Sequence, residues 1–204
     1  VNKKKRVAGG HPTADWVNEL PSKHTRVIIS FGSDLELFFN DMRIFGWIKV
    51  KEEEVWKEEM EKLPPDVIDE AVTLQLFKEL IIGSMRPIKQ VLMDQKKIGG
   101  VGNIYANDGL FLARINPTKP ANSLDDKEIK SLWRAIRKVV NRGIVLGGAS
   151  YSDYKDVHGL GGKYQEHFLV YGRDGEKCSD CGVKLRKFKL GGRGTYWCPG
   201  CQMR

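Results

Sequence analysis

An α+β fold is predicted for this 204-residue chain by three observations. β-branched and aromatic runs crowd the stretch from Arg26 to Val50, apolar residues recur at helical spacing from there to about Ile144, and four cysteines close the chain around a basic, glycine-rich hairpin. With 41% hydrophobic residues the chain can bury a core, as one large domain or two small ones. No internal repeat or low-complexity tract is present. No apolar run approaches the roughly 20 residues of a spanning helix, and no basic amphipathic segment stands apart from the core pattern, so a membrane is not an expected partner.

The elements follow in order. Arg26 to Phe31 (RVIISF) and Glu36 to Phe39 (ELFF), joined by Gly32-Ser33-Asp34, predict an antiparallel hairpin, and Phe45 to Val50 (FGWIKV) a third strand. Glu52 to Glu61 places Val55, Trp56 and Met60 at helical spacing, with its acids on a solvated face. Leu63-Pro64-Pro65-Asp66 breaks the chain, and Val67 to Ile82 is expected as a helix. Pro87 to Asp94 starts on a proline suited to a first helical turn. Lys96 to Asn103 is a glycine-rich break, and Asn103 to Leu112 resumes the helix. Ser123, with Asp126 three residues later, is expected to cap a helix through about Ile144, whose Ile129, Leu132, Trp133, Ile136, Val139 and Val140 form a core stripe.

The cysteines stand as Cys178-x2-Cys181-x16-Cys198-x2-Cys201. Two such knuckles, separated by enough chain for a two-stranded ribbon, supply four thiolates to one tetrahedral Zn²⁺ at about 2.3 Å each. Two disulfides or four free core thiols are the alternatives; no export signal precedes the domain, and redox pairs rarely frame so basic a hairpin. Residues 86–204 hold 22 Lys and Arg against 11 Asp and Glu, whereas residues 1–85 hold 12 against 15. A basic domain ending in a zinc ribbon is a candidate polyanion binder, because each neutralised phosphate releases counterions; a merely soluble basic surface is the alternative. In Ile98-Gly99-Gly100-Val101-Gly102 three glycines let backbone amides approach a phosphate closely, or else make a tight turn between helices. A dinucleotide-binding loop is excluded, since no strand precedes them.

Several separated motifs resemble the formamidopyrimidine-DNA glycosylase and endonuclease VIII family, most closely its formamidopyrimidine branch. They are Pro87-Ile88-Lys89 with Leu92-Met93-Asp94-Gln95, then Gly100-Val101-Gly102-Asn103-Ile104-Tyr105-Ala106, which look like its helix-two-turn-helix. Val170-Tyr171-Gly172-Arg173 and Gly191-Gly192-Arg193-Gly194-Thr195 look like the segments before its two knuckles. Lys23-His24-Thr25-Arg26-Val27 and Phe39-Asn40-Asp41-Met42-Arg43-Ile44-Phe45-Gly46 look like later strands of its β-sandwich. The resemblance implies an α+β architecture: a partial antiparallel β-sandwich over 1–63, a helical helix-two-turn-helix domain over 64–150, a flexible glycine-rich connector over 151–173 and the zinc ribbon over 174–204.

It also implies roles. Asn103 resembles the asparagine that holds phosphates beside the lesion, Lys89 a nearby phosphate-contacting lysine, and Arg193 the ribbon arginine that grips phosphates flanking a flipped nucleotide. Arg43 resembles the guanidinium that faces the orphaned cytosine and Phe45 the ring that wedges the base step. By residue type alone, Phe45 also suits a core, Arg43 a surface ion pair and Lys89 a solvated helix face. Val157 to Tyr164 falls where the family has a mobile loop over the extruded base, and composition alone equally allows a linker. One structural zinc on Cys178, Cys181, Cys198 and Cys201, damaged double-stranded DNA as partner, a monomer, and a cytoplasmic, nucleoid-associated bacterial setting are the further implications.

One departure stands out. The family attacks C1′ with an N-terminal proline followed by a glutamate, and Val1 and Asn2 match neither, so an incomplete N-terminus and no glycosylase competence are expected of this polypeptide. Two functions stand open at this point. One is a base-excision glycosylase with AP-lyase activity on oxidised purines, of which this chain is a portion; the other is a naturally shortened, non-catalytic zinc protein that holds nucleic acid.

Overall fold

The structure, a computed structural model, describes residues 15, 16, 19–32, 35–149 and 161–203. The chain divides into two compact units, Val1–Glu58 with Leu146–Gln165 and Glu59–Val145 with Glu166–Arg204. The helical segment and the cysteine ribbon, expected as separate domains, thus fall in one unit.

In the first unit β1 (Thr25–Phe31) pairs antiparallel with β2 (Leu35–Asn40), with Ile28 opposite Phe38 and Ile29 opposite Leu37. Thr25 Oγ1 donates to Asn40 Oδ1 at 2.6 Å and closes the open end of the hairpin. The expected third strand at Phe45–Val50 is not formed: that stretch has no ladder partner among the described residues, and Trp47, Ile48 and Val50 are exposed. β-formers make a strand only where a neighbour takes their backbone groups, and here the Asp41 carboxylate instead gathers the preceding amides into a loop. Helix α1 (Glu53–Glu61) buries none of its residues.

The second unit is built on helices. Helix α2 (Leu74–Ile82) begins seven residues later than the expected Val67, because Thr73 Oγ1 accepts from Leu76 N and caps it there. The residues before it are claimed by other partners: Val67 N donates to Gly99 O, and Val67 O and Asp69 O accept from Arg137. Helix α3 (Ile88–Leu92) and helix α4 (Asn103–Leu112) flank the glycine turn. Gly100 sits there at φ +79, and an added Cβ would meet the Asp66 carboxylate at 2.6 Å. Helix α5 (Asp126–Val145) starts at a cap other than the expected Ser123, which lies in a 3-10 turn. Asp125 Oδ1 accepts from Glu128 N at 2.8 Å while Glu128 Oε2 accepts from Asp125 N at 2.9 Å, a reciprocal box.

Along α5, Ile129, Leu132, Ile136, Val139 and Val140 are buried as the stripe predicts, and Trp133, half-buried, donates its ring N–H to Val72 O. Helices α4 and α5 run antiparallel in close contact, Gly109 lying against Ile136 and Gly143 against Tyr105, where any side chain would collide. Strands β3 (Arg186–Leu190) and β4 (Arg193–Trp197) form the second hairpin, turned at Gly191 and Gly192, both at positive φ. Its core, Val170, Cys178, Leu185 and Cys198, includes Phe111 of α4, so ribbon and helices share one hydrophobic cluster.

Candidate nucleic-acid interface

Buried polar side chains fix the ribbon hairpin on the helices. Lys89 of α3 is 1% exposed, and its ammonium donates to Gly194 O at 2.8 Å and Thr195 Oγ1 at 2.9 Å. It is therefore not the solvated or freely phosphate-facing lysine that the sequence suggested: two of its three donors are committed inside the protein. Burial, and then the charge of Arg193, lower its pKa to about 8. Asn107 of α4, also 1% exposed, accepts from Tyr196 N at 2.8 Å and donates to Asn103 O at 2.6 Å. Its neighbour Asp108 is fully buried, with Oδ1 accepting from Val170 N and Tyr171 N. Gln202 bridges Cys198 N and Ile115 O, each at 2.8 Å. Sequence reading missed Asn107, Asp108 and Gln202, because a polar residue inside a helix or beyond the last cysteine carries no signal of burial.

Those contacts place the first turn of α4 beside β3 and β4. Asn103, Tyr171, Lys187, Phe188, Lys189, Gly194 and Tyr196 line one open depression of about 490 Å³. Lys187 Nζ lies 5.3 Å from the Tyr196 ring centroid, and Arg193 stands exposed just before Gly194. At the head of α4 the cap position is Gly102, no side chain caps it, and no acid occupies its first turn. The helix therefore presents backbone N–H groups and the positive end of its dipole, with Asn103 at that spot.

The four cysteines form a metal-binding set. Their Sγ atoms all lie within 4.8 Å of one another, with Cys178 to Cys201 at 3.8 Å and Cys181 to Cys198 at 3.4 Å. Bonds of about 2.3 Å in a tetrahedron put thiolates roughly 3.8 Å apart, whereas a disulfide needs about 2.05 Å. The donor set thus fits one structural Zn²⁺. Without a cation the thiols oppose one another: burial, then hydrogen bonding to Cys181, raises Cys201, burial raises Cys198, and the Val183 amide lowers Cys181. A bound dication reverses that balance and holds all four as thiolates.

Arg43 and Phe45 belong to the other unit. The Asp41 carboxylate accepts from the N–H groups of Arg43 and Ile44, each at 2.9 Å, and of Gly46, and these bonds, Gly46 foremost, hold its pKa below the usual value. Ile44 is driven to φ +58, and Gly46 has room only for hydrogen, because a Cβ would meet Phe39 and Asp41. The loop presents Phe45 at 80% exposure with the Arg43 guanidinium 5.9 Å from its ring centroid. Neither is a core residue, and the ring and the guanidinium stand together on an exposed loop. Asp41 is a positioning residue that sequence reading passed over as part of a motif.

Residues 63–169 match the family described as formamidopyrimidine-DNA glycosylase H2TH domain, and residues 175–204 the zinc finger found in FPG and IleRS. The formamidopyrimidine-DNA glycosylase of Listeria monocytogenes is 42% identical over 187 residues, which are 91% of this chain and 68% of that protein. The chain belongs to the formamidopyrimidine-DNA glycosylase family. Among solved structures, the MutM (Fpg) protein of Thermus thermophilus superposes with a TM-score of 0.77 at 38% identity, over 89% of this chain and 70% of that one. A complex of Lactococcus lactis Fpg with abasic-site DNA gives 0.79 at 35% identity, over 92% and 69%. Within this family's two matched regions lie Lys89, Asn103, Arg193 and the four cysteines; Arg43 and Phe45 precede them. Of the loop expected over a flipped base, residues 157–160 lie outside the described residues. No helix among the described residues is long and apolar enough to cross a membrane.

Proposed function

We propose that this chain is the DNA-gripping part of a base-excision glycosylase for oxidised purines such as 8-oxoguanine and formamidopyrimidines. It binds damaged duplex DNA as a monomer through Asn103 and Arg193, with Arg43 and Phe45 entering the space left by an extruded nucleotide. The single observation that carries this reading is the shared depression between the head of α4 and the ribbon, held in register by Lys89 and Asn107. It collects amide donors, Asn103, Lys187 and Lys189 on one face with two tyrosines, a surface suited to a phosphate run. Lys89 acts there by holding Gly194 and Thr195 in place, its charge adding to the field of Arg193. Zinc, when bound, cross-links the two knuckles and so fixes the base of the hairpin.

The lining of this depression holds no carboxylate or histidine to act as a general acid or base, and we infer that these 204 residues by themselves hold DNA without excising a base. Binding of an abasic-site duplex, measured beside excision of 8-oxoguanine and borohydride trapping by the same protein, tests both parts. Salt-sensitive binding weakened by Arg193→Ala, with neither excision nor trapping, is the expected result. Absent binding ends the DNA reading, and a trapped adduct ends the non-catalytic one.

A further inference from the structure

The outer face of α5 carries a basic surface that the proposed DNA grip does not use. From Ile129 to Val145 the helix has Lys130, Arg134, Arg137, Lys138 and Arg142 and no acid. Arg137 is committed to Val67 O and Asp69 O, and Arg142 meets His167 Nδ1 at 2.9 Å. Lys130, Arg134 and Lys138, with Lys127 one turn earlier, are exposed and enter none of the ion pairs found among the described residues.

These four recur every three or four residues and so form one stripe on the side of α5 opposite its buried face. At 1.5 Å per residue the stripe is about 16 Å long. Lys130 and Arg134, and Arg134 and Lys138, are like charges four residues apart, an arrangement that weakens a helix unless an anion lies across it. With Leu112, Ser131 and Ala135 they line an open groove of about 450 Å³. Because α4 and α5 are antiparallel, the Leu112 end of this groove lies at the far end of α4 from Asn103, about 15 Å along a ten-residue helix.

We propose that this stripe is a second contact for the DNA backbone, taking a duplex segment other than the one gripped at Asn103 and Arg193. The inference rests on the DNA-binding reading above. Four exposed cations in a line, outside every ion pair among the described residues, match a row of phosphates, and the groove lining holds neither an acid nor an aromatic ring. Protein partners are usually anchored by buried Trp and Tyr, and Leu112 is the one large apolar side chain in this lining, so four aligned cations favour nucleic acid over an acidic protein. A protein that touches two segments at once can pass directly from one to the other, since the second contact forms before the first is lost.

The test follows release of a labelled abasic-site duplex from the zinc-loaded 204-residue chain while unlabelled undamaged duplex is added in rising concentration. The release rate is expected to climb with competitor, and a complex holding two duplexes to be seen at low salt. In Lys130→Gln/Arg134→Gln/Lys138→Gln, whose replacements keep good helix formers, the rate should become independent of competitor while affinity for the labelled duplex stays within about threefold. Lys130→Arg/Lys138→Arg, which keeps the charge, should behave as the parent does. A release rate independent of competitor in the parent protein, or undiminished dependence in the triple variant, overturns the proposal. Acceleration by polyglutamate as strong as by duplex overturns the assignment to DNA. Arg193→Ala separates the two readings: it should weaken capture of the labelled duplex yet leave the competitor dependence of release intact. Failure of the parent to bind the labelled duplex at all would sink the proposed function itself.

Discussion

Replacing Asn107 by leucine should loosen the ribbon from the helices at one identifiable point. The side chain is 1% exposed, and the substitution keeps its approximate size and a good helix former, so the perturbation is confined to the hydrogen bonds of that amide. Lost are the bond from Tyr196 N at 2.8 Å and the bond to Asn103 O at 2.6 Å, with the longer donations to Asn103 Oδ1 at 3.3 Å and Gly194 O at 3.5 Å. Deleting the partner of a buried donor leaves that donor unpaired at a cost of about 1–3 kcal/mol, so local stability around the Tyr196 amide should fall by about 2 kcal/mol. At about 1.4 kcal/mol per factor of ten, the Tyr196 amide should exchange with solvent about thirtyfold faster. Lys89 and Gln202 hold neighbouring points, so the ribbon should stay folded and keep its zinc. Amide exchange measured by NMR on parent and variant is the assay, with affinity for an abasic-site duplex measured in parallel and expected to drop. Exchange at Tyr196 within threefold of the parent would refute the clamp, because the amide would then owe its protection to another partner.

Other perturbations reach the remaining parts. The protein should hold about one equivalent of zinc, and chelation should unfold the ribbon and weaken DNA binding together; disulfides between Cys178 and Cys181 and between Cys198 and Cys201 in fresh protein would contradict this. Lys89 has a folded pKa of about 8 against 10.5 when free, so the folded state gives up its proton first. The stability penalty of burying that charge is complete below pH 8 and relieved as pH rises towards 10.5, and Lys89→Met should remove this rise from a melting-temperature profile. Arg193→Ala should lower affinity across all sequences and flatten the salt dependence by a slope of about one; unchanged salt dependence would take that side chain off the phosphates. In a protein carrying the family's catalytic N-terminus, Arg43→Ala should cost about 1–3 kcal/mol of preference for cytosine opposite the lesion. Asp41→Ala should erode the same preference without touching the guanidinium, and excision ratios against cytosine and adenine report both.

Sequence by itself determined the parts whose signal is local. The metal set was legible because knuckle spacing is a covalent constraint, and helix α4 because its bounds follow a glycine turn. The α5 stripe was legible because burial of one helix face imposes its own period. The β1 and β2 hairpin likewise follows from two apolar runs around a turn. What only tertiary structure decided is where chain segments distant in sequence compete for the same backbone groups. Val67 to Val72 has helical composition yet is drawn away by Gly99 and Arg137, and Phe45 to Val50 has strand composition yet finds no edge to pair with among the described residues. Lys89 read as a phosphate-contacting lysine, or else a solvated helix charge, until Gly194 and Thr195, more than a hundred residues later in the chain, closed over its ammonium. Asn107 carried no signal at all, since a helical asparagine becomes a clamp only when another strand lays an unpaired amide against it. A side chain's type fixes what it can donate or accept, but the fold chooses its partner.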